Sequence, residues 1–369
     1  MSYKGQTDFR HDAPPCTGIL LSNLGTPDAA TVPAVRRYLA EFLSDPRVIE
    51  MAAPLRWLLL HGVILRLRPG RSAHAYQRIW SDEGSPLYVI SRKQAAAIEQ
   101  HLQGRFRGEF RLELAMRYGR PSIASALEKL REHNVQRLLV FPLYPQYSSA
   151  TTGSTFDAVS SELRRWRWIP EVRLVNQYCD DEEYLAALAE SIREHQSEHG
   201  KPDRLLFSFH GLPKSYVLAG DPYYCQCRKT ARLAAAQLGL ADDAWEVSFQ
   251  SRLGPREWLK PYTDKLLKKW AKQGVGHVQV ICPGFSADCL ETLEEVAMQD
   301  RDTFIHAGGK KYSYIPALND RQPHIEALCG IIERHCRGWR KYGAEGADQD
   351  QARELEETRR RAQAAGAAN

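Results

Sequence analysis

Short apolar runs that alternate with helix-like stretches are the feature that most constrains the fold of this chain. The runs are rich in branched residues and end at Gly, Pro or Asn, which is typical of parallel β-α units. We predict strands at 18–23, 111–117, 137–143, 172–175, 204–210, 246–250, 277–283 and 312–316. Apolar positions at helical spacing, with charges on the opposite face, predict helices at 122–133 and 258–273. The fold class is therefore α/β.

An internal repeat indicates how these units are arranged. The segments SNLGTP at 22–27 and SFHGLP at 208–213 both follow an apolar run and share the pattern S-x-x-G-x-P. Further along, MRYGRP and FPLYPQYSS in the first half are matched by FQSRLGP and CPGFSAD in the second. We therefore predict two similar doubly wound, Rossmann-like domains, with parallel sheets flanked by helices and a cleft between them. Both S-x-x-G-x-P turns should open on that cleft, because ligands bind beyond the C-terminal ends of parallel strands.

The length of 369 residues, with 43% apolar content, favours two domains over one. We predict an N-terminal arm at 1–16, a first domain at 17–165, a second domain at 166–325, and a C-terminal helix and tail at 326–369. The first domain is longer than the second between the matched landmarks, so part of it is an insertion.

Residues 51–72 are the candidate insertion, and we call this segment the lip. It mixes large apolar side chains with four arginines. That mixture suits a membrane interface or the mouth of an apolar pocket. It suits equally well a buried helix with arginines at its ends.

Charge and apolar patterning exclude several classes of protein. The formal net charge of +5 is mild, and basic residues are interspersed with acidic ones, so we expect no nucleic-acid partner. The chain shows neither a signal peptide nor an apolar run of about 20 residues, which predicts a soluble, cytoplasmic protein. Eight cysteines without a C-x-x-C pair are expected to be mostly free thiols. We expect a monomer or a weak dimer.

His210 is the best placed of the twelve histidines for chemistry. It ends the predicted strand 204–210, and Gly211 and Pro213 form a turn that allows its ring to face the cleft. A histidine at a strand end suits a catalytic base or a metal ligand, and it also suits a hydrogen-bonded structural residue.

A row of carboxylates follows the strand at 277–283. Asp288, Glu291 and Glu295 share one face of a predicted helix, whereas Glu294 points elsewhere. Like charges on one face repel one another, which favours a binding site, although acidic residues in a first turn also offset the helix dipole on a solvated face. One imidazole with several carboxylates suits a divalent metal of intermediate softness, or proton abstraction.

Six segments in a fixed order resemble the signature segments of ferrochelatases, especially those of Gram-negative bacteria. They are GILLSNLGTPD, GSPLY, FPLYPQYSSATTGS, FSFHGLP, QSRLGPREWL and CPGFSADCLETLEE, within about residues 17–325. The resemblance implies a lyase-type chelatase that inserts Fe(2+) into protoporphyrin IX, forms protohaem and releases two protons, at the last step of haem b biosynthesis. It implies that His210 and Glu291 flank the porphyrin centre and bind the iron. We assign His210 as the base, and Glu295 and Asp288 as an outer acidic path for metal and protons.

The resemblance also implies a set of porphyrin-binding walls, any of which could instead be ordinary core. These residues are Leu24, Tyr76, Ser85, Arg117, Tyr118, Tyr144 and Trp258, with Gln250 nearby. The lip would surround the mouth of the pocket and could associate with the inner membrane at its surface.

The resemblance also bears on cofactors. Some relatives bind a [2Fe-2S] cluster through four cysteines, three of them near the C-terminus. This chain has only Cys329 and Cys336 there, and Ser149 stands where animal members supply a fourth ligand. We therefore expect no cluster and no tightly bound cofactor, and we treat iron as a substrate.

Two alternative functions remain open at this point. One is a related chelatase that acts on another tetrapyrrole or another metal. The other is a non-enzymatic porphyrin or haem carrier, for which the lip and walls would serve equally well. Glu291 discriminates between enzyme and carrier, because a carrier has no use for a carboxylate row directed at the ring centre.

Overall fold

Two parallel sheets, each of four strands, organise the structure, which is a computed structural model. It describes residues 3–5, 9–106, 109–252, 254, 256–339 and 347–367. The first sheet has the order β2-β1-β3-β4 and contains β1 Cys16–Thr26, β2 Phe110–Gly119, β3 Val135–Pro142 and β4 Glu171–Leu174. The second has the order β6-β5-β7-β8 and contains β5 Arg204–His210, β6 Trp245–Gln250, β7 His277–Ile281 and β8 Lys311–Ile315. The α/β class is confirmed.

The equivalent strand order in the two sheets confirms the internal repeat. The likeness continues after the second strand of each sheet. The backbone N–H of Met116 donates to the carbonyl of Pro121 at 2.7 Å, and that of Phe249 donates to the carbonyl of Pro261 at 2.9 Å. The two halves therefore share the same strand order and the same hydrogen bond after their second strand, at the strand ends that carry the candidate site.

The two S-x-x-G-x-P segments differ, and the prediction of a turn at the first one is wrong. Strand β1 continues through Gly25 and Thr26, which pair with Tyr118 and Gly119 of β2, whereas β5 ends at His210. Gly25 has a φ of +106°, and a Cβ there would lie 1.8 Å from the carbonyl oxygen of Tyr118. Only glycine therefore allows β1 to follow β2 so closely at this point.

Helices cover both sheets. The α-helices are α1 Val32–Ser44, α2 Ala53–Leu59, α3 Leu65–Ile79, α4 Pro86–Leu102, α5 Ile123–Glu132, α6 Ser154–Leu163, α7 Glu182–His199, α8 Lys214–Leu218, α9 Tyr223–Gln237, α10 Thr263–Lys272, α11 Arg301–His306, α12 Gln322–His335 and α13 Ala347–Ala364. Three further helices are of the π type, namely Leu60–Ile64, Ser149–Gly153 and Glu291–Asp300. Among the described residues, no helix combines the length and the apolar character needed to cross a bilayer.

The predicted helix at 122–133 is confirmed by α5, but the one at 258–273 was drawn too long. Helix α10 begins only at Thr263. The residues before it are engaged elsewhere, because Trp258 forms a β-bridge with Pro213 and the carbonyl of Pro261 accepts from Phe249. A proline also disfavours helical geometry in the residue before it.

One apolar core joins the two halves. It contains Ile19 and Leu21 of β1 together with Phe207 and Phe209 of β5, all of them fully buried. Leu20 points the other way, into a separate core against α5. Helix α12 packs against both α4 and α7, which adds a second connection. The C-terminal ends of the central strands are therefore held by a shared, closely packed interior.

The N-terminal arm and the C-terminal tail are described in part. Lys4 pairs with residues 165–167 through two backbone hydrogen bonds, and α13 accounts for most of the tail. Residues 1–2, 6–8, 340–346 and 368–369 of these segments lie outside the described residues. The eight cysteines all lie in the described part of the chain and none forms a disulfide; Cys225 is exposed and the other seven are buried. The domain boundaries given above stay a prediction.

Candidate active site

His210 lies at the C-terminal end of β5, half-buried, with a defined tautomer. Its Nδ1 is 2.7 Å from the carbonyl oxygen of Gly211. Because a carbonyl can only accept, Nδ1 carries a proton, and in the neutral form of the ring the lone pair is therefore on Nε2. Trp258 packs beside the same turn, since a Cβ on Gly211 would lie 3.1 Å from its ring. The imidazole is therefore fixed by its surroundings with Nε2 able to accept a proton or bind a metal.

Glu291 begins the π-helix Glu291–Asp300, which follows β7. Helices of this type close their turns with i→i+5 hydrogen bonds and are frequent at functional sites. Gln250 pairs with His210 in the β5–β6 register, and its Nε2 donates to the backbone carbonyl of Glu291 at 3.4 Å. Gln250 thus connects the strand that carries the histidine to the helix that carries the glutamate.

Glu295 lies one turn along the π-helix and is held by Ser251. Its Oε1 accepts from the Ser251 N–H at 2.8 Å, and its Oε2 accepts from the Ser251 hydroxyl. The pKa of Glu295 is raised, mainly because the side chain is buried. The hydrogen bonds from Ser251 and the positive charge of protonated His210 oppose this rise, whereas the negative charge of Glu291 adds to it. His210 and Glu291 therefore both lie close enough to Glu295 to affect its pKa.

Asp288 is not placed with these two glutamates. It precedes the π-helix, and its carboxylate accepts hydrogen bonds from Tyr314 at 2.6 Å, Thr292 at 2.9 Å and Asn319 at 2.8 Å. The prediction that Asp288 shares a helical face with Glu291 and Glu295 is wrong, because residue 288 is not helical and the turns that follow are of the π type. Its contacts are those of a structural residue, so we leave it out of the metal path.

Two buried tyrosines interact with Glu291, and sequence reasoning missed one of them. Burial raises the pKa of Tyr76 well above its ordinary value, and the charge of Glu291 raises it further. Burial has the same effect on Tyr38 and Tyr144, and both Tyr76 and Glu291 also act on Tyr38. Tyr38 lies in α1 and donates to the carbonyl of Gly25 at 3.1 Å. These phenols therefore stay neutral, and each offers an aromatic ring with a hydroxyl group at its end.

Arg117 and Tyr118 are fixed by Asp45, a second residue that sequence reasoning missed. Arg117 Nη2 lies 2.6 Å from Asp45 Oδ2, and the Tyr118 hydroxyl donates to the same oxygen at 2.8 Å. Burial alone would raise the pKa of Asp45, but hydrogen bonds from Ser154, the Arg47 N–H and Tyr118 hold it below its ordinary value. The carboxylate is therefore a charged anchor for this wall.

Leu24 and Ser85 occupy the border between the two halves. Leu24 packs with Leu87 against Ala287 and Cys289 of the second half. Ser85 precedes α4, and its Oγ accepts from the Thr26 hydroxyl at 2.8 Å. Burial raises the pKa of Cys289 well above its ordinary value, so its side chain is a thiol and not a thiolate ligand.

A cavity of about 510 Å³ borders Glu295. Its lining includes Ser251, Trp258 and Asp300. Burial, followed by the charge of Glu295, raises the pKa of Asp300 well above its ordinary value. A carboxyl series thus runs from Glu291 through Glu295 to the wall of this cavity. Among the described side chains, no group of three or more His, Cys, Asp or Glu is arranged to enclose a metal ion.

The lip forms α2, a π-helix and the start of α3. Leu60 and Leu65 are buried, whereas Trp57 is 62% exposed and Leu67 is 74% exposed. Leu55, Leu58 and Val63 are exposed as well. A contiguous group of exposed apolar side chains of this size usually marks a surface that contacts a membrane, a ligand or another protein.

Similarity to known proteins extends over the whole arrangement. A family model described as Ferrochelatase matches residues 16–336. The ferrochelatase of Nitrosococcus oceani is 54% identical over 367 residues, which covers 100% of both chains. That of Hydrogenovibrio crunogenus is 56% identical over 344 residues and covers 92% of this chain and 91% of its own. The structure of SirB from Bacillus subtilis with Fe3+ matches with a TM-score of 0.54 at 10% identity, over 89% of this chain and 99% of SirB, a likeness of fold alone.

Proposed function

The chain belongs to the ferrochelatase family, and we propose that His210 and Glu291 carry out its reaction in the site described above. The enzyme inserts Fe(2+) into protoporphyrin IX, which yields protohaem and two protons. The observation that supports these two residues most is the free Nε2 of His210 beside the mutually interacting carboxyl groups of Glu291 and Glu295.

Metal insertion requires that two pyrrole N–H protons leave while a cation enters four nitrogens. A base with an available lone pair is needed for the first task, and Nε2 of the neutral His210 ring supplies it. Glu291 and Glu295 give the cation oxygen ligands without enclosing it, so that iron can pass on to the ring. Because burial raises the pKa of Glu295, this carboxyl group can also take up a proton and release it toward the cavity.

The walls have a second task, which is to hold the macrocycle bent so that its nitrogen lone pairs face the metal. The binding energy of the flat apolar ring can distort the macrocycle only if the residues of the pocket wall are rigid. The Asp45 anchor beneath Arg117 and Tyr118 supports such rigidity. The neutral Tyr38 and Tyr76, which interact with Glu291, provide apolar surface without adding charge next to the metal.

Anaerobic formation of metalloporphyrin from protoporphyrin IX and Fe(II), followed by absorbance, tests the function. We expect multiple turnovers by the wild-type protein. The same assay with sirohydrochlorin and Co(II) tests the alternative of another tetrapyrrole and another metal, and we expect little turnover. Protein that binds protoporphyrin IX, measured by fluorescence quenching, but never metallates it would establish the carrier instead.

Cys329 and Cys336 support the absence of a [2Fe-2S] cluster, which we also propose. Both lie buried in the apolar core that joins the two halves. Burial raises the pKa of Cys329 to about 12, so its side chain is a thiol at neutral pH. Iron is then a substrate of this protein and not part of a resident cofactor.

We further propose that the lip binds to the surface of an anionic membrane through its exposed apolar residues and its arginines. Trp57→Glu should reduce co-flotation with phosphatidylglycerol vesicles at least about fivefold, because a buried aromatic side chain contributes about 1.5–3 kcal/mol. Trp168→Glu is the matched control, since Trp168 is 52% exposed on a different surface. Equal loss in both variants, or no wild-type binding, would rule the lip out as the contact.

A further inference from the structure

Helix α3, which continues from the lip, is joined to the catalytic π-helix by a charge pair. Arg78 Nη1 of α3 lies 2.7 Å from Glu294 Oε1. The Glu294 side chain is only 9% exposed. Its other oxygen, Oε2, accepts from Gln299 Nε2 at 2.6 Å. Both carboxylate oxygens are therefore used, one by α3 and one by the π-helix itself.

Apolar contacts reinforce the same junction. Leu290, the residue before Glu291, packs against a cluster formed by Val35, Ala73 and Tyr76. Tyr76 belongs to α3, and its pKa responds to the charge of Glu291. Three residues at the start of the π-helix therefore interact with α3: Leu290 through apolar packing, Glu291 through its charge and Glu294 through the ion pair with Arg78.

The length of this π-helix is unusual. Its i→i+5 turns are rare and usually occur singly, whereas Glu291–Asp300 spans ten residues. The Gln299–Glu294 hydrogen bond has the same i, i+5 spacing and so supports the wide turn. The direction in which the Glu291 side chain points depends on how the π-helix is rotated about its axis. The ion pair between Arg78 of α3 and Glu294 restricts that rotation.

We propose that Arg78 and Glu294 are positioning residues that set the orientation of the catalytic carboxylate of Glu291. The inference rests on the proposed function of Glu291, although neither residue touches the substrates in this account. It assigns a role to Glu294, which the sequence places off the catalytic face. Removing Arg78 would leave the buried Glu294 carboxylate with Gln299 but without its cationic partner, and we expect the cost of that uncompensated charge to rotate or loosen the helix.

Arg78→Met tests this role, with Arg334→Met as the matched control. The Arg334 side chain is 39% exposed against 40% for Arg78. Arg334 pairs with Asp181, which caps the N-terminus of α7, and with Glu183 in the first turn of α7. We expect Arg78→Met to lower kcat about tenfold, because small misplacements of a catalytic group have large effects on rate. Protoporphyrin affinity should change less than about threefold, and Arg334→Met should retain the wild-type kcat.

A charge reversal and an activity-independent measurement complete the design. Arg78→Glu combined with Glu294→Arg should recover part of the kcat lost in either single variant. Amide hydrogen exchange in residues 290–300 should accelerate in Arg78→Met but not in Arg334→Met, and this can be measured even if the wild type never metallates porphyrin. Wild-type kcat and unchanged exchange in Arg78→Met, with or without a lower Tm, would overturn the proposal.

Discussion

Glu291→Gln is expected to lower kcat for iron insertion by at least about a hundredfold while protoporphyrin IX still binds. The amide has nearly the same shape as the carboxylate, and the contact of Gln250 is with the backbone of Glu291, so the fold should be preserved. What is lost is the negative charge beside His210 and Glu295, and losses of about 10² to 10⁴ are usual when acid-base groups are removed.

The same variant should change the pH dependence in a defined direction. The charge of Glu291 raises the pKa of Glu295, so its removal should lower that pKa. Any limb of the pH profile that reports Glu295 should then move to lower pH. Glu113→Gln, at a distant glutamate paired with Lys129, serves as the control for loss of one carboxylate. A kcat within about fivefold of wild type would contradict the assignment of Glu291.

His210→Ala is expected to have an effect of similar size, at least about a hundredfold on kcat, because it removes the Nε2 lone pair that accepts the pyrrole proton. Added imidazole should restore part of the activity, since the small base can occupy the space left by the ring. When it has taken up a proton, His210 lowers the pKa of Glu295, so that pKa should be higher in His210→Ala, opposite to the effect of Glu291→Gln.

The matched control for His210 is His195→Ala. His195 is another half-buried histidine, but it lies on α7 and stacks on His199 at 4.1 Å. We expect wild-type kcat in that variant and no response to imidazole. If His210→Ala retained wild-type turnover, the base would have to be sought elsewhere in the site.

The strands were predictable because each is a short, buried, branched run, and that pattern depends only on local composition. The repeat was predictable for the same reason. The π-helix was not, because its residues are those of any acidic helix and only the i→i+5 bonding distinguishes it. The shared face predicted for Asp288, Glu291 and Glu295 failed because Asp288 lies before the first helical residue and Glu291 begins a π-helix. Helix α10 was misjudged because the bridge of Trp258 to Pro213 joins distant parts of the chain.

Two further site residues were missed because their roles depend on long-range contacts. Asp45 anchors Tyr118, which follows 73 residues later, and nothing near Asp45 in the sequence indicates this partner. Ser251 reaches Glu295 with a φ of +64°, a conformation that sequence alone does not predict for serine. Sequence pattern located the strand ends that carry the chemistry, whereas tertiary contacts determine what supports it.

The distribution of the cysteines allows site-specific labelling of the protein. Cys225 on α9 is exposed, and the other seven are buried. Thiol-directed reagents react according to exposure and thiolate character, so a maleimide should attach at one position of the native wild-type chain. A fluorophore or spin label at Cys225 would then report distances to a second probe on the lip as porphyrin enters and haem leaves, without removal of any native cysteine.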